Sequence, residues 1–158
     1  MDTIRLLQSG DRDALAEVYH DAVTSQAVGL YSNVQLQAWA GHGWQSDAID
    51  QALAHGYGLA SCSSSDEQSI EAFGILCPID RLSLLYCRGR SCRQGRSRAI
   101  LGALENHARE AGCRQLRTEA SQLSRPLLTQ LGWQVEAEEE VRFAGVFFIR
   151  WRMIKPLT

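Results

Sequence analysis

Arg81-Leu82-Ser83-Leu84-Leu85-Tyr86-Cys87-Arg88-Gly89-Arg90-Ser91-Cys92-Arg93-Gln94-Gly95-Arg96-Ser97-Arg98 is the stretch that decides the fold. Its first seven residues alternate, Leu82, Leu84 and Tyr86 against Arg81, Ser83, Leu85 and Cys87, which predicts a half-buried strand. Residues 88–97 are polar and carry glycine, and read as a loop. From Arg98 the spacing of Ile100, Leu101, Leu104, His107 and Ala108 is helical as far as Gly112, and residues 115–118 are strand-like. Strand, loop, long helix and strand make a crossover unit. The strand-to-helix turn of such a unit is where α/β proteins hold phosphates, on the open N–H groups and dipole of the helix. Arg88, Arg90, Arg93, Arg96 and Arg98 add positive charge there. A solvated basic loop and a nucleic-acid patch are the alternatives.

Working outward, residues 3–7 read as a short strand. Asp11 caps a helix through Ala14, Leu15, Val18, Tyr19 and Val23 that ends at Gly29. Ser32 or Asn33 starts a second helix with Leu36 and Trp39 on one face, and residues 41–43 read as a loop. Ser46-Asp47 caps a third helical stretch through Ile49 and Leu53, stopped by Gly56 and Gly58. Strands follow at 59–63 and 70–76, with turns at 64–66 and at Pro78-Asp80. Beyond the crossover unit, Pro126 sits in the first turn of a helix that runs to Gly132. A final strand pair covers 135–141 and 146–153 with a bend at 144–145. The pattern predicts an α/β fold over residues 1–158, one domain with a mixed central sheet flanked by helices.

Size and composition agree. A chain of 158 residues and 17.6 kDa, 45% hydrophobic and 22% charged, buries a core without disulfide or metal staples. The longest clear apolar run, residues 146–149, is far short of a membrane span, and no apolar signal core follows the first Met. Five cysteines, an odd number without a C-x-x-C pair, predict reduced thiols and a cytoplasmic location. Four scattered histidines predict no metal site. Cys92 among arginines is either a thiol of lowered pKa or a small filler side chain, and the second reading is taken. The net charge of −2 conceals a split: residues 1–80 carry −9 and residues 81–158 carry +7, which predicts that one half meets an anion.

Several short motifs in order resemble the GNAT superfamily of acyl-CoA-dependent N-acyltransferases, over most of the chain. Leu85-Tyr86-Cys87 looks like the family's fourth strand. Cys92-Arg93-Gln94-Gly95-Arg96-Ser97 matches the Q/R-x-x-G-x-G/A loop without a gap. Thr118-Glu119-Ala120-Ser121 resembles the end of the fifth strand in one bacterial branch, and Leu131-Gly132-Trp133 the turn after the fourth helix. Tyr31-Ser32-Asn33-Val34-Gln35-Leu36-Gln37-Ala38-Trp39 resembles the Y-S-x-x-Q-L-x-A-W helix of that branch. Cys92 replaces the family's Gln or Arg, Arg93 stands where glycine is common, and Ser97 replaces the last Gly or Ala. A competing register runs from Gln94 to Ala99, but the first keeps both flanks unbroken.

The resemblance implies acetyl-CoA as co-substrate, held by residues 92–98 and by the edge of Leu85-Tyr86-Cys87. It implies direct attack by a primary amine of a small molecule or peptide. The family's usual acid, a tyrosine, falls on Leu128. Glu119 is then a candidate base or a carboxylate paired with an arginine. Ser121 is a candidate donor to the thiolate or a loop cap, and Tyr31 a candidate acid or a packing residue. His20, Tyr31 and Trp39 are candidates for the acceptor pocket, against surface and core roles. Trp44 and Trp151 read as core or interface residues. Members of the family often dimerise, which adds a homodimer through the last strands to the expectations. Two other readings stand beside the enzyme: a non-catalytic acyl-CoA-binding or regulatory protein, and a nucleic-acid-binding module using Arg88 to Arg98. A pI near 6.1 and the lack of interleaved aromatics argue against the last.

Overall fold

Strands that are apolar on both faces demand a helical layer on each side, and the computed structural model of the chain has that arrangement. It describes residues 3–45 and 47–157, with the side chains of Trp44, Gln45 and Glu67 outside the description. In chain order the elements are β1 (Thr3–Leu6), α1 (Arg12–Gln26), α2 (Asn33–Gln45), α3 (Ala48–His55), β2 (Tyr57–Ser63), β3 (Asp66–Leu76), β4 (Arg81–Cys87), α4 (Arg96–Glu110), β5 (Gln115–Ala120), α5 (Arg125–Gln130), β6 (Gln134–Phe143) and β7 (Val146–Pro156). The seven strands form one mixed sheet in the order β1-β2-β3-β4-β5-β7-β6. Only β4 and β5 pair in parallel.

One face of the sheet carries α4 and α5. Ile100, Leu101, Leu104 and Ala108 of α4 and Leu128 of α5 pack on Ala72, Leu76, Leu82 and Met153 of the strands. Gly74 of β3 lets α4 come this close: a Cβ there would lie 2.8 Å from Ile100 Cγ2 and 3.1 Å from Leu104 Cδ1. On the other face, Leu15, Ala16 and Val18 of α1 and Ile49 and Ala52 of α3 cover Ala60, Ile70, Phe73 and Ile75. A third cluster joins Tyr19, Val23, Trp39, Ala40 and Phe148, and seats α2 against β7. Each fully buried Leu, Ile or Phe contributes about 1.5–3 kcal/mol. Trp151, expected in core or interface, is core at 9% exposure, under a cation–π contact from Arg125 at 4.0 Å. The side chain of Trp44 and the expected Ser46 cap lie outside the described residues.

Several local expectations change. Residues 41–43 are helical, not a loop, because Ala40 is buried and His42 packs on Phe143, 4.1 Å between ring centroids. Asp11 makes no side-chain cap on α1. Its carboxylate instead accepts from Arg5 Nη1 and Nη2 at 2.9 and 3.0 Å and from Gln8 N at 2.8 Å. Gly58 lies inside β2. The alternation of β4 is broken by a bulge: Ile75 pairs with Leu84 and Leu76 with Leu82, skipping Ser83. Leu82, Leu85 and Cys87 therefore join the α4 side, while Leu84 and Tyr86 join the α1 side.

Candidate active site

The sheet forks at its one parallel step. β4 and β5 are paired only at Arg81↔Arg117 and Leu82↔Thr118. Two contacts pin the base of the fork. Thr118 Oγ1 donates to Leu82 O at 2.7 Å, and Arg81 Nε donates to both oxygens of Glu119 at 3.0 and 3.3 Å. Beyond that point β5 stays with β7, where Ala120 pairs Trp151, and residues 83–87 of β4 present an edge. Arg88 N donates to Glu71 O. Antiparallel alternation then turns the peptide groups of Tyr86 toward β3 and those of Leu85 and Cys87 toward the gap. Gln26 Nε2 takes Cys87 O at 2.5 Å, which leaves the Leu85 N–H and C=O and the Cys87 N–H facing the opening. The fork opens into a cleft of about 1030 Å³ that runs from residues 82–87 to the N-terminus of α4 and the β5–α5 loop.

The loop at the cleft mouth is held from below by acids of the N-terminal half. Glu71, 4% exposed, accepts from Arg90 Nε and Nη2 at 2.8 and 2.7 Å and from Ser91 Oγ at 2.6 Å. These donors, Arg90 first, hold its carboxyl down at about 2. Arg88 reaches Glu17 and Asp21 at 3.7 and 3.9 Å, and Gly89 N donates to Asp21 Oδ1 at 2.9 Å. Arg96 turns beneath the loop to Ser61 Oγ at 2.9 Å and Cys62 O at 3.3 Å. Five loop arginines thus do not make one exposed field on the cleft: Arg88 and Arg96 are engaged inward, Arg90 is exposed but paired with Glu71 away from the cleft, and Arg93 and Arg98 are exposed on it. Part of the charge split is thus taken up by contacts between the two halves.

Gly95 precedes α4 in the left-handed region, φ +84°, where glycine is required. Ala99 N donates to Gly95 O, so the N–H groups of Ser97 and Arg98 have no partner within the helix, and with that of Arg96 they lie in its first turn. This agrees with the register that places the motif glycine at Gly95. Arg93 also has a positive φ, 63°, which gives a backbone reason for the glycine that is common at its position in the resembling family.

The structure distributes the expected site residues unevenly. Leu85, Tyr86, Cys87, Cys92, Arg93, Gly95, Arg96, Ser97 and Arg98 line the cleft, as do Glu119, Ser121 and Leu128. Gln94 is exposed and does not line it. Arg96 offers its backbone and not its guanidinium. Burial pushes the Cys87 thiol up to about 11, which suits packing and not nucleophilic attack. Ser121 Oγ lies 3.2 Å from Ser124 Oγ and accepts from Ser124 N at 3.1 Å, closing the turn before α5. Tyr31 Oη accepts from Gln122 N at 2.8 Å, and its ring packs on Trp39 and Phe148. Burial pushes this phenol up, and it lines neither cavity described here. His20 is exposed and lies outside both cavities, because it falls off the buried stripe of α1 that runs through Ala16, Tyr19 and Val23.

The Y-S-x-x-Q-L-x-A-W stretch gains a physical explanation. Ser32 and Gln35 form a reciprocal capping box, Ser32 N to Gln35 Oε1 at 2.9 Å and Gln35 N to Ser32 Oγ at 3.2 Å. Gln35 Nε2 also donates to Phe147 O at 3.0 Å. Trp39 Nε1 donates to Tyr86 Oη at 3.2 Å. The motif thus ties α2 to β7, to β4 and, through Tyr31, to the loop after β5.

A second cavity of about 380 Å³ adjoins the first, and the two share Ser83, Leu84 and Tyr86. Trp39 lines it. So do Tyr19, His42, Arg81 and Phe143, none of which the sequence reading singled out for the site. His42 was hidden by its glycine neighbours. Arg81 was visible only as a charge at the start of a strand. Among the described residues no group of three or more His, Cys, Asp or Glu is placed to hold a metal. Among the described residues, no helix is long and apolar enough to cross a membrane.

No family model matches the chain, and no curated protein matches it in sequence. Solved structures do match in fold. A GCN5-related N-acetyltransferase of Rhodopseudomonas palustris superposes with a TM-score of 0.91 at 18% identity, covering 99% of this chain and 96% of its own. The PaiA N-acetyltransferase of Thermoplasma acidophilum, solved in complex with coenzyme A, gives 0.75 at 18% identity over 99% of both chains. The yncA protein of Salmonella typhimurium, solved with acetyl-CoA, gives 0.62 at 18% identity, covering 100% of this chain and 95% of its own. The chain therefore has the fold of the GNAT N-acetyltransferases. Its seven-stranded mixed sheet flanked by helices is the architecture it shares with them.

Proposed function

We propose that the chain is an acyl-CoA-dependent N-acyltransferase, a single domain over residues 1–158 that passes an acetyl group from acetyl-CoA to a primary amine of a small molecule or peptide. The observation that carries this reading is the meeting, in one cleft, of an unpaired strand edge and a helix N-terminus. An extended amide-bearing chain suits the peptide groups of Leu85 and Cys87. A pyrophosphate suits the N–H groups of Arg96, Ser97 and Arg98, with Arg93 and Arg98 beside it. Acetyl-CoA supplies the thioester. The chain supplies position, and an N–H on the β4 edge polarises the thioester carbonyl. The amine's lone pair forms the new C–N bond as the C–S bond breaks; the nitrogen sheds a proton and the sulfur gains one. Glu119, on the cleft wall, is the proposed proton acceptor. Ser121 is the hydroxyl proposed for the sulfur side, and Tyr31 stands behind it. The neighbours solved with coenzyme A and acetyl-CoA support the co-substrate. Five free cysteines fit a reducing compartment such as the cytoplasm.

A second reading, an acyl-CoA binder without turnover, is favoured by Leu128. An apolar side chain, 1% exposed, stands there where the resembling family places its acidic phenol. One experiment separates the two. The protein is incubated with acetyl-CoA and a panel of primary amines, and released thiol is measured. Amine-dependent release is the expected result. Stabilisation by CoA without release on any amine supports the binder. Neither stabilisation nor release overturns both. At 100 times Kd, binding stabilises by about 2.7 kcal/mol, which raises Tm by roughly 5–10 °C for a domain of this size.

A further inference from the structure

The second cavity lies on the α1–α2–α3 side of β4, and its walls have a distinct chemistry. Tyr19 comes from α1, Trp39 and His42 from α2, and Phe143 from the end of β6. The rings brace one another: Tyr19 lies 4.5 Å from Tyr86 and His42 lies 4.1 Å from Phe143, centroid to centroid. Ile49, Ala52 and Leu84 add apolar surface, beside the neutral polar side chains of Gln51 and Ser83. Among the described residues that line it, none is Asp or Glu, and the one lining residue of fixed charge is Arg81. Five acids of the N-terminal half are paired with arginines elsewhere. Glu17, Asp21 and Glu71 hold Arg88 and Arg90, Asp11 holds Arg5, and Asp50 holds Arg12. Burial pushes the His42 imidazole down, so this ring adds no charge near neutral pH.

Arg81 spans the junction of the two cavities. Its guanidinium pairs with Glu119, which lines the acyl-CoA cleft. An amine entering the second cavity therefore finds no carboxylate in its lining; the one beyond it, Glu119 in the first cleft, is already paired with Arg81. A second ammonium in the cavity would sit near Arg81 with no acid to pair it, at a large desolvation cost.

We infer that this cavity takes the acceptor, and that the acceptor is a monoamine on an aromatic or flat apolar frame, not a polyamine or a basic peptide. The inference rests on the acyltransferase reading for its chemistry, but the binding it asserts is measured separately. Saturable binding of 2-phenylethylamine and of spermidine to the purified full chain is followed by tryptophan emission and by melting temperature, with and without CoA. Thiol release from acetyl-CoA is measured in parallel. The expected result is binding and turnover of 2-phenylethylamine and neither with spermidine. Phe143→Ala is expected to weaken phenylethylamine binding about tenfold, the loss of about 1.4 kcal/mol of ring contact. Phe143→Leu, which keeps apolar volume and loses the ring, should fall between; circular dichroism checks that both fold. Spermidine bound or turned over in preference, or phenylethylamine binding that both variants leave unchanged, overturns the inference. Phenylethylamine binding without turnover on any amine leaves the cavity assignment in place and sinks the acyl-transfer reading instead.

Discussion

Glu71 is the residue on which the loop geometry depends. It sits on β3, yet it collects Arg90, Ser91 and Ser69 Oγ, at 3.2 Å, so the strand next to β4 anchors the turn that carries the helix N-terminus. Its carboxyl is held at about 2, below its ordinary 4.5. A depressed folded-state pKa means that the stabilisation is complete above about pH 4.5 and is lost as pH falls from there through 2. Urea unfolding at pH 7, 4 and 3 checks this: wild type should lose stability across that range with a steeper slope than Glu71→Gln. At pH 7 the substitution should cost about 1–3 kcal/mol, the price of leaving the buried Ser91 hydroxyl and the Arg90 guanidinium with a neutral partner. Equal slopes for the two proteins would show that Glu71 is not what links the loop to acid.

At the scale of elements, α4 is both a packing unit and the proposed phosphate site, and Gly74 couples the two roles. Gly74→Ala places a Cβ against Ile100 and Leu104 and forces α4 away from β3. Overpacking of this kind costs about 1–3 kcal/mol. Melting temperature and CoA affinity should therefore fall together. A fall in stability with unchanged CoA affinity would uncouple the helix position from the site. The crossover unit was legible in the sequence because its signals are local: alternation in β4, polar residues in the loop and helical spacing in α4. The rest depends on tertiary contacts. Gly41 and Gly43 each weaken a helix by about 1 kcal/mol, so residues 41–43 read as a loop. Packing of Ala40 and of His42 on Phe143 offsets that cost and brings His42 into the second cavity. The bulge at Ser83 is invisible in a single strand, since it is defined by what β3 places opposite.

For the whole molecule, the charge split describes how the chain closes on itself. Acids of the first half meet arginines of the second at Glu17, Asp21 and Glu71 with Arg88 and Arg90, and at Asp80 with Arg117. What faces the cleft is a smaller, more specific set: the peptide edge of Leu85 and Cys87, the first turn of α4, and the exposed Arg93 and Arg98. The motif residues gave the position of this cleft from sequence alone. They did not give the role of Thr118 at the base of the fork, nor which arginine pairs with Glu119, because those partners, Leu82 and Arg81, lie across a parallel step. Amide hydrogen exchange with and without CoA tests the central claim most directly. The account predicts slowed exchange at Leu85, Cys87 and residues 96–98, with β1, β2 and the outer strand β6 unchanged. Unchanged exchange at those five amides, or protection concentrated elsewhere, would contradict it.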